Sequence, residues 1–293
     1  MYASISRSDA EESVHAPSPL EGTADPVFQR GRGEARLVFS MRHGQSLATE
    51  RFQSGTMKLR FPRVEPGLPP ETVLVNLGGG MTGGDRLDIA AELTHATSAT
   101  ITTQACEKIY RSLGDDALIR TALHVDGGAK LDWLPQPAIF FDGARLRRET
   151  HVTLAADAAF LGVEASIFGR TAMDETVRKG ALSDSWFIRR DGRLIHADRF
   201  HIDGDIDERL KRPAIAGGHL AMATLRYVAP DAEDRLEEMR SLLASLPDHA
   251  AASAWDGMLI ARFMTADGHA LTKALCHVLT GFRKTPLPRN WLI

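Results

Sequence analysis

Five glycines fall in the seven positions from Gly78 to Gly84, between the apolar run Val73-Leu74-Val75 and Asp85. Glycine enters φ > 0 at no steric cost, so such a cluster marks backbone that turns sharply or is closely approached. Gly79 and Gly84 have the G-x-x-x-x-G spacing of a phosphate loop, but Asp85 and Arg86 stand where its Lys and Ser/Thr belong. A carboxylate there repels the phosphates that a lysine holds, which removes that chemistry. Gly78, Gly80 and Gly83 also satisfy G-x-G-x-x-G, and residues 87–93 have the length of a short helix. That pattern keeps an NAD-dependent oxidoreductase as the alternative function. Residues 85–95 discriminate: a helix supports the dinucleotide site, and a strand supports a glycine-rich turn.

Other reactive side chains converge less well. No nucleophile-elbow pattern gathers a Ser, a His and a carboxylate. Cys106 lies beside Glu107, which disfavours a thiolate, and Lys108, which favours one. Cys276 sits in an apolar helical pattern and reads as core. His196, Asp198, His201, Asp203, Asp205 and Asp207 are close in sequence, yet on a strand the first two face away from the others. The Asp203-x-Asp205-x-Asp207 series starts like a calcium loop, but Glu208 replaces its glycine and Ala214 its bidentate glutamate. A solvated acidic turn is the better reading.

The elements that must position these groups are mostly strands. Met57, Leu59 and Phe61 alternate with Lys58 and Arg60, as period two requires. Strands are expected at 36–41, 56–61, 72–77, 86–93, 98–105, 117–126, 129–134, 144–155 and 158–168. A further set is expected at 184–190, 193–203, 218–228 and 258–263. Thr100, Thr102 and Gln104 would share one face. Gly114-Asp115-Asp116, Asp142-Gly143 and Asp191-Gly192 fit hairpin turns. Two helices are expected late in the chain. One is capped by Asp231, buries Ala232, Leu236, Met239, Leu243 and Leu246, and ends at Pro247. The other spans 270–282 with Leu271, Leu275, Val278, Leu279 and Phe282 on one face, bounded by Gly281 and Pro286. The fold class is therefore mainly β: one large β-rich scaffold domain over 27–293, with two helices in its C-terminal third and no internal repeat. Residues 1–26, rich in Ser, Pro and acidic residues, read as a mobile tail.

With 43% hydrophobic residues the chain has ample core, and a net charge of −3 leaves no basic footprint for nucleic acid or membrane. No apolar run reaches the ~18 residues of a spanning helix. Two cysteines and no signal-peptide pattern point to the cytoplasm.

Several short motifs occur in a recognisable order: Gly79-Gly80 with Gly84-Asp85, Thr102-Thr103-Gln104, Lys108-Ile109-Tyr110, Leu134-Pro135-Gln136, Phe168-Gly169-Arg170 with Glu175, and Pro288-Arg289-x-Trp291. In these the chain, over roughly residues 30–293, resembles the urease accessory protein family UreD (UreH in some systems). Asp174 departs from the pattern, standing where the family has a glycine. The resemblance implies a non-enzymatic maturation factor, a scaffold or chaperone that helps deliver nickel to apo-urease. It further implies a complex with a UreF-type protein that recruits a UreG-type GTPase. No cofactor is expected to be tightly bound; nickel is in transit. No histidine-rich tract is present to store it. The family-like carboxylates Asp85, Glu107 and Glu175 are the candidates for a transient metal route, and each can equally serve its own loop. Arg289 and Trp291, carried on a proline-stiffened stem, either fold back onto the body or meet a partner.

Overall fold

A strand, not a helix, follows the glycine-rich segment. The computed structural model describes residues 29–292 except Thr171, Ala172, Asp174 and Asp248; the segment read as a mobile tail and the Asp174 departure lie outside the described residues. Residues 86–93 form a strand and 98–103 a second, as expected.

Two large sheets face each other. The first runs, in spatial order, β14 (Arg193–Asp205), β13 (Lys179–Arg190), β11 (Arg145–Leu154), β8 (Ala117–Val125), β5 (Arg86–Leu93), β1 (Arg32–Arg42) and β2 (Gln45–Gly55). The second runs β16 (His249–Trp255), β17 (Met258–Thr265), β15 (Ala221–Val228), β12 (Ala159–Phe168), β9 (Lys130–Leu134), β6 (Ser98–Thr103), β4 (Glu71–Asn76) and β3 (Met57–Arg60). Short β7 (Glu107–Ile109) and β10 (Ala138–Phe140) lie beside the far half of β12. From β4 to β13 the chain crosses from sheet to sheet, and successive strands in each sheet stack in parallel. The result is a coil of the solenoid kind. Met81, Ile109, Phe140 and Phe168 fall on one buried rung of neighbouring turns.

Alternating apolar residues fill the space between the sheets: Leu37, Ala91, Leu123, Val152 and Ile188 align across five strands of the first. A second core lies on the outer face of the second sheet, where α2 (Leu236–Ala244) and α3 (Gly268–Arg283) cover Leu161, Val163, Leu225 and Phe263. Antiparallel hairpins close the coil at its ends. Three of them turn on pairs with both φ positive, His43-Gly44, Asp191-Gly192 and Asp256-Gly257, which is the twist such two-residue turns need.

Several expectations need correction. Gly114-Asp115-Asp116 and Asp142-Gly143 are crossings between sheets, not hairpins, because the strands they join lie in different sheets. The sequence has no repeat although the backbone does, since each rung needs only an apolar side chain of fitting size. Strands β2 and β16 escaped notice. β2 is exposed along most of its length and so shows no alternation, and β16 is built largely of alanine. Asp231 does not cap α2; it accepts from the Tyr227 hydroxyl at 2.7 Å, and the helix starts five residues later. Gly281 lies inside α3, against Leu242. The short α1 (Ile206–Leu210) takes up the end of the acidic series, with Asp207 paired to Lys211, so no calcium loop forms.

Helix α3 is fastened by a buried ion pair. Arg283 donates to Asp132 of β9 at 2.8 Å, to Thr100 and to the Pro286 carbonyl. Removing one partner of such a pair strands the other charge, at a cost of about 3–5 kcal/mol. Arg283→Met should therefore lower stability by that order in urea unfolding. The double variant Arg283→Met/Asp132→Leu should recover most of the loss.

Candidate functional site

The glycine-rich segment is the first crossing from the second sheet to the first, and later crossings stack upon it. Met81 N–H donates to the Lys108 carbonyl and Tyr110 N–H to that of Met81, each at 2.7 Å, while the Tyr110 hydroxyl donates to the Gly79 carbonyl. A Cβ at Gly80 would lie 2.4 Å from the Tyr110 ring, so close backbone approach, not phosphate binding, requires that glycine. Strand β5 has the backbone of a ladder and offers no helix N-terminus, which overturns the dinucleotide alternative.

Asp85 closes this crossing. Its two carboxylate oxygens accept from the backbone N–H groups of Gly31 at 2.7 Å and Thr82 at 2.8 Å, tying the loop to the start of β1. Glu107 lines a cleft of about 240 Å³ with Asn76, Gln104, Cys106 and Lys108. Burial, opposed by the Asn76 amide and helped by the charge of Asp85, pushes the Glu107 carboxyl up to about 7. Burial also raises the Cys106 thiol, which argues against a nucleophile there. Glu175 is bound to Arg170 at 2.6 Å across the fourth crossing. The three carboxylates thus lie along one side of the coil without converging. Among the described residues no three His, Cys, Asp or Glu side chains gather as a ligand set.

The remaining motifs meet at the C-terminal end of β6. Trp291 is buried and its indole N–H donates to Thr102 and to the Leu134 carbonyl; Gln136 donates its side-chain amide to the Asn290 carbonyl and its backbone N–H to Thr103. Trp291 therefore serves the fold, while Arg289 and Leu292 stay exposed beside it.

A larger cleft, about 570 Å³, opens where the sheets splay between β14 and β16. Its floor is an ionic lattice that the sequence reading missed. Arg148 bridges Glu164 at 2.5 Å and Asp184 at 2.8 Å, and Arg226 and Arg262 both bind Asp198, at 3.0 and 2.9 Å. Arg226 also lies over the Trp186 ring. Burial works to raise Asp198, but the two guanidinium groups outweigh it and hold it low. Burial and Arg226 together push His196 down to about 4, leaving it neutral as the acceptor for Arg226. The available signal was Glu164 inside a strand whose only other polar residue is Ser166: a carboxylate on a buried strand needs a partner.

With this geometry in view, the comparisons with known proteins are decisive. The family model described as UreD urease accessory protein matches residues 31–292. The chain belongs to the UreD urease accessory protein family. Among its relatives, the urease accessory protein UreD of Azorhizobium caulinodans is 44% identical over 92% of this chain and 98% of its own length. That of Xanthobacter autotrophicus is 44% identical over 94% of each. The Chelativorans sp. relative is 41% identical over 98% of this chain and its entire length. As a UreD-family chain it contributes to urease maturation, and among its described residues no helix is long and apolar enough to cross a membrane.

The raised Glu107 carboxyl makes stability pH-dependent. Its folded value, about 7, lies above the unfolded value of 4.5, so the folded state holds the proton more tightly. The stabilisation is full below pH 4.5 and is lost as pH rises through 7. Each pH unit in that window is worth about 1.4 kcal/mol. Glu107→Gln should flatten this part of the stability–pH curve and raise Tm relative to the parent at pH 8 but not at pH 4.5. Parallel curves for the two proteins would show that Glu107 is not the responsible group.

Proposed function

We propose that this chain is a non-enzymatic scaffold, with residues 27–293 acting as one domain, that helps deliver nickel to apo-urease in the cytoplasm. It works with a UreF-type protein and, through it, a UreG-type GTPase. The observation that carries the reading is membership of the UreD family across the described body. The architecture supports it physically. A coil whose turns are tied by backbone ladders and a packed core changes shape little, and it presents wide sheet faces and loop rails to partners. Exposed apolar residues such as Leu47 and Phe52 on β2, and Leu292 beside Arg289, give partners apolar area to cover.

Nickel is written here as cargo. Asp85, Glu107 and Glu175 are placed along its route because carboxylate oxygens bind a divalent cation weakly enough to release it and lower the electrostatic cost of its passage. Glu107 carries most of this proposal, since it faces a cleft, whereas Asp85 and Glu175 already satisfy backbone or Arg170.

Two experiments test the reading. First, the chain should co-purify with co-expressed urease subunits and a UreF-type protein, and urease matured without it should hold less nickel. Second, Asp85→Asn, Glu107→Gln and Glu175→Gln preserve size and part of the hydrogen bonding while removing charge. The triple variant should stay folded and partner-bound while urease acquires several-fold less nickel. Full urease loading by that variant would remove these residues from the route. Loss of solubility or of partner binding would make them structural. Deleting 287–293 should lower the Tm of the isolated chain, because Trp291 is part of the second core.

A further inference from the structure

The ionic lattice on the floor of the larger cleft leaves hydrogen-bonding capacity unused. Asp198 accepts from Arg226 Nη2 at 3.0 Å and from Arg262 Nη2 at 2.9 Å, and both bonds fall on one oxygen, Oδ2. Among the described residues nothing donates to its Oδ1, and 20% of the side chain stays exposed. The two guanidinium groups hold this carboxyl ionised, so Oδ1 accepts and cannot donate. Arg262 is 58% exposed, and its N–H groups outside the Asp198 pair have no partner among the described residues. Arg226 is fixed over the Trp186 ring, and its Nη1 is buried without a partner. An ionised acceptor on β14 and unspent donors on β15 and β17 therefore adjoin across the two sheets.

Much of the remaining lining is apolar. Phe200, Ile215, Met222 and Met264 contribute to it, and Ala251 of the edge strand β16 leaves room that a larger side chain would fill. At about 570 Å³ the cleft has the volume of a small-molecule pocket, and an apolar chamber with a few orienting polar groups is the usual form of one. Here the orienting groups have both signs. A carboxylate ligand would meet the Asp198 charge at the place where Arg262 attracts it, and an ammonium ligand would meet two guanidinium groups. An uncharged group with an N–H beside a C=O meets neither repulsion. It donates to Asp198 Oδ1 and accepts from Arg262.

We propose that the larger cleft binds a small uncharged carboxamide carried on an apolar body, with Asp198 Oδ1 accepting the amide N–H and Arg262 donating to the amide carbonyl. Phe200, Met222 and Met264 take the apolar body, and the two thioether side chains adapt to its shape. Selection for the amide head comes from what each analogue leaves unpaired or repelled in the site. The site is built from the late strands of both sheets and depends neither on nickel nor on the maturation role.

The test titrates the full-length chain calorimetrically with 3-phenylpropanamide and with three analogues of the same body: the carboxylate, the primary ammonium and the N,N-dimethyl amide. The expected result is one site of sub-millimolar affinity for the amide and binding of each analogue weaker by about 10-fold or more. The dimethyl amide has no N–H for Asp198, the carboxylate is repelled by it, and the ammonium offers Arg262 no acceptor. Two variants place the site. Arg262→Met keeps the stem and removes the donors, and Ala251→Phe fills the chamber from an exposed strand position that suits an aromatic residue. Each should weaken amide binding by about 10-fold or more with little change in Tm. No detectable binding of the amide, equal binding of its dimethyl analogue, or tighter binding of the carboxylate would overturn the proposal. Unchanged amide binding in both folded variants would do so as well. Should either variant misfold, photolabelling of the parent with a diazirine-bearing phenylpropanamide decides. Cross-links mapped by mass spectrometry to Phe200, Met222 or Met264 uphold the site, and cross-links confined to other parts of the chain overturn it.

Discussion

Each turn of the coil must satisfy its backbone on the turns before and after it. A strand buried in a parallel sheet has no solvent to bond its N–H and C=O groups, so every rung depends on its neighbours being in register. That requirement fixes the crossings as firmly as the strands. Gly84 N–H donates to the Asp116 carbonyl, Ser112 N–H to Gly143 and Gly143 N–H to Lys179, so the loops form a ladder of their own. Asp85 belongs to this ladder, anchoring its first member to Gly31. The glycines of that crossing permit the close approach that the ladder demands.

A solenoid must also be stopped at both ends, because an open rung invites further strands. The β1–β2 hairpin closes one end of the first sheet and the β13–β14 hairpin the other. At the late end of the second sheet, β15, β17 and β16 run antiparallel, and two helices cover their outer face. The sheets diverge there, and apolar filling gives way to the lattice of Arg148, Glu164, Asp184, Arg226 and Asp198. A buried ionic lattice stabilises less than apolar packing of the same volume, but it defines relative placement through directed bonds. The late edges of the two sheets are joined by bonds of that kind, and they frame the larger cleft.

The fold class was legible because strand periodicity is local. Met57-Lys58-Leu59-Arg60 shows its buried face in four residues, and the apolar stripe of α3 shows in one helix. The family was legible as well, since its motifs are short and keep their order along the chain. Both kinds of signal reside in neighbouring residues and need no knowledge of what lies across the molecule.

Everything that depends on a partner distant in sequence was decided by the tertiary structure. Whether Asp142-Gly143 makes a hairpin or a crossing depends on which sheet receives the next strand, and no local preference states that. Thr102, Gln136 and Trp291 read as three separate motifs and form one contact cluster, because the chain end returns across 157 residues to the Leu134 carbonyl. Arg148, Glu164 and Asp184 sit on three strands and find each other only where the two sheets face. His219 and His249 are distant in sequence, and their rings meet with centroids 4.9 Å apart. The sequence by itself determined the alternating strands, the late helices and the family, because periodicity and motif order are properties of short segments, whereas β2 and β16 carry no such alternation. The tertiary structure decided which charges are buried together, because desolvation and Coulomb attraction act through space and not along the chain.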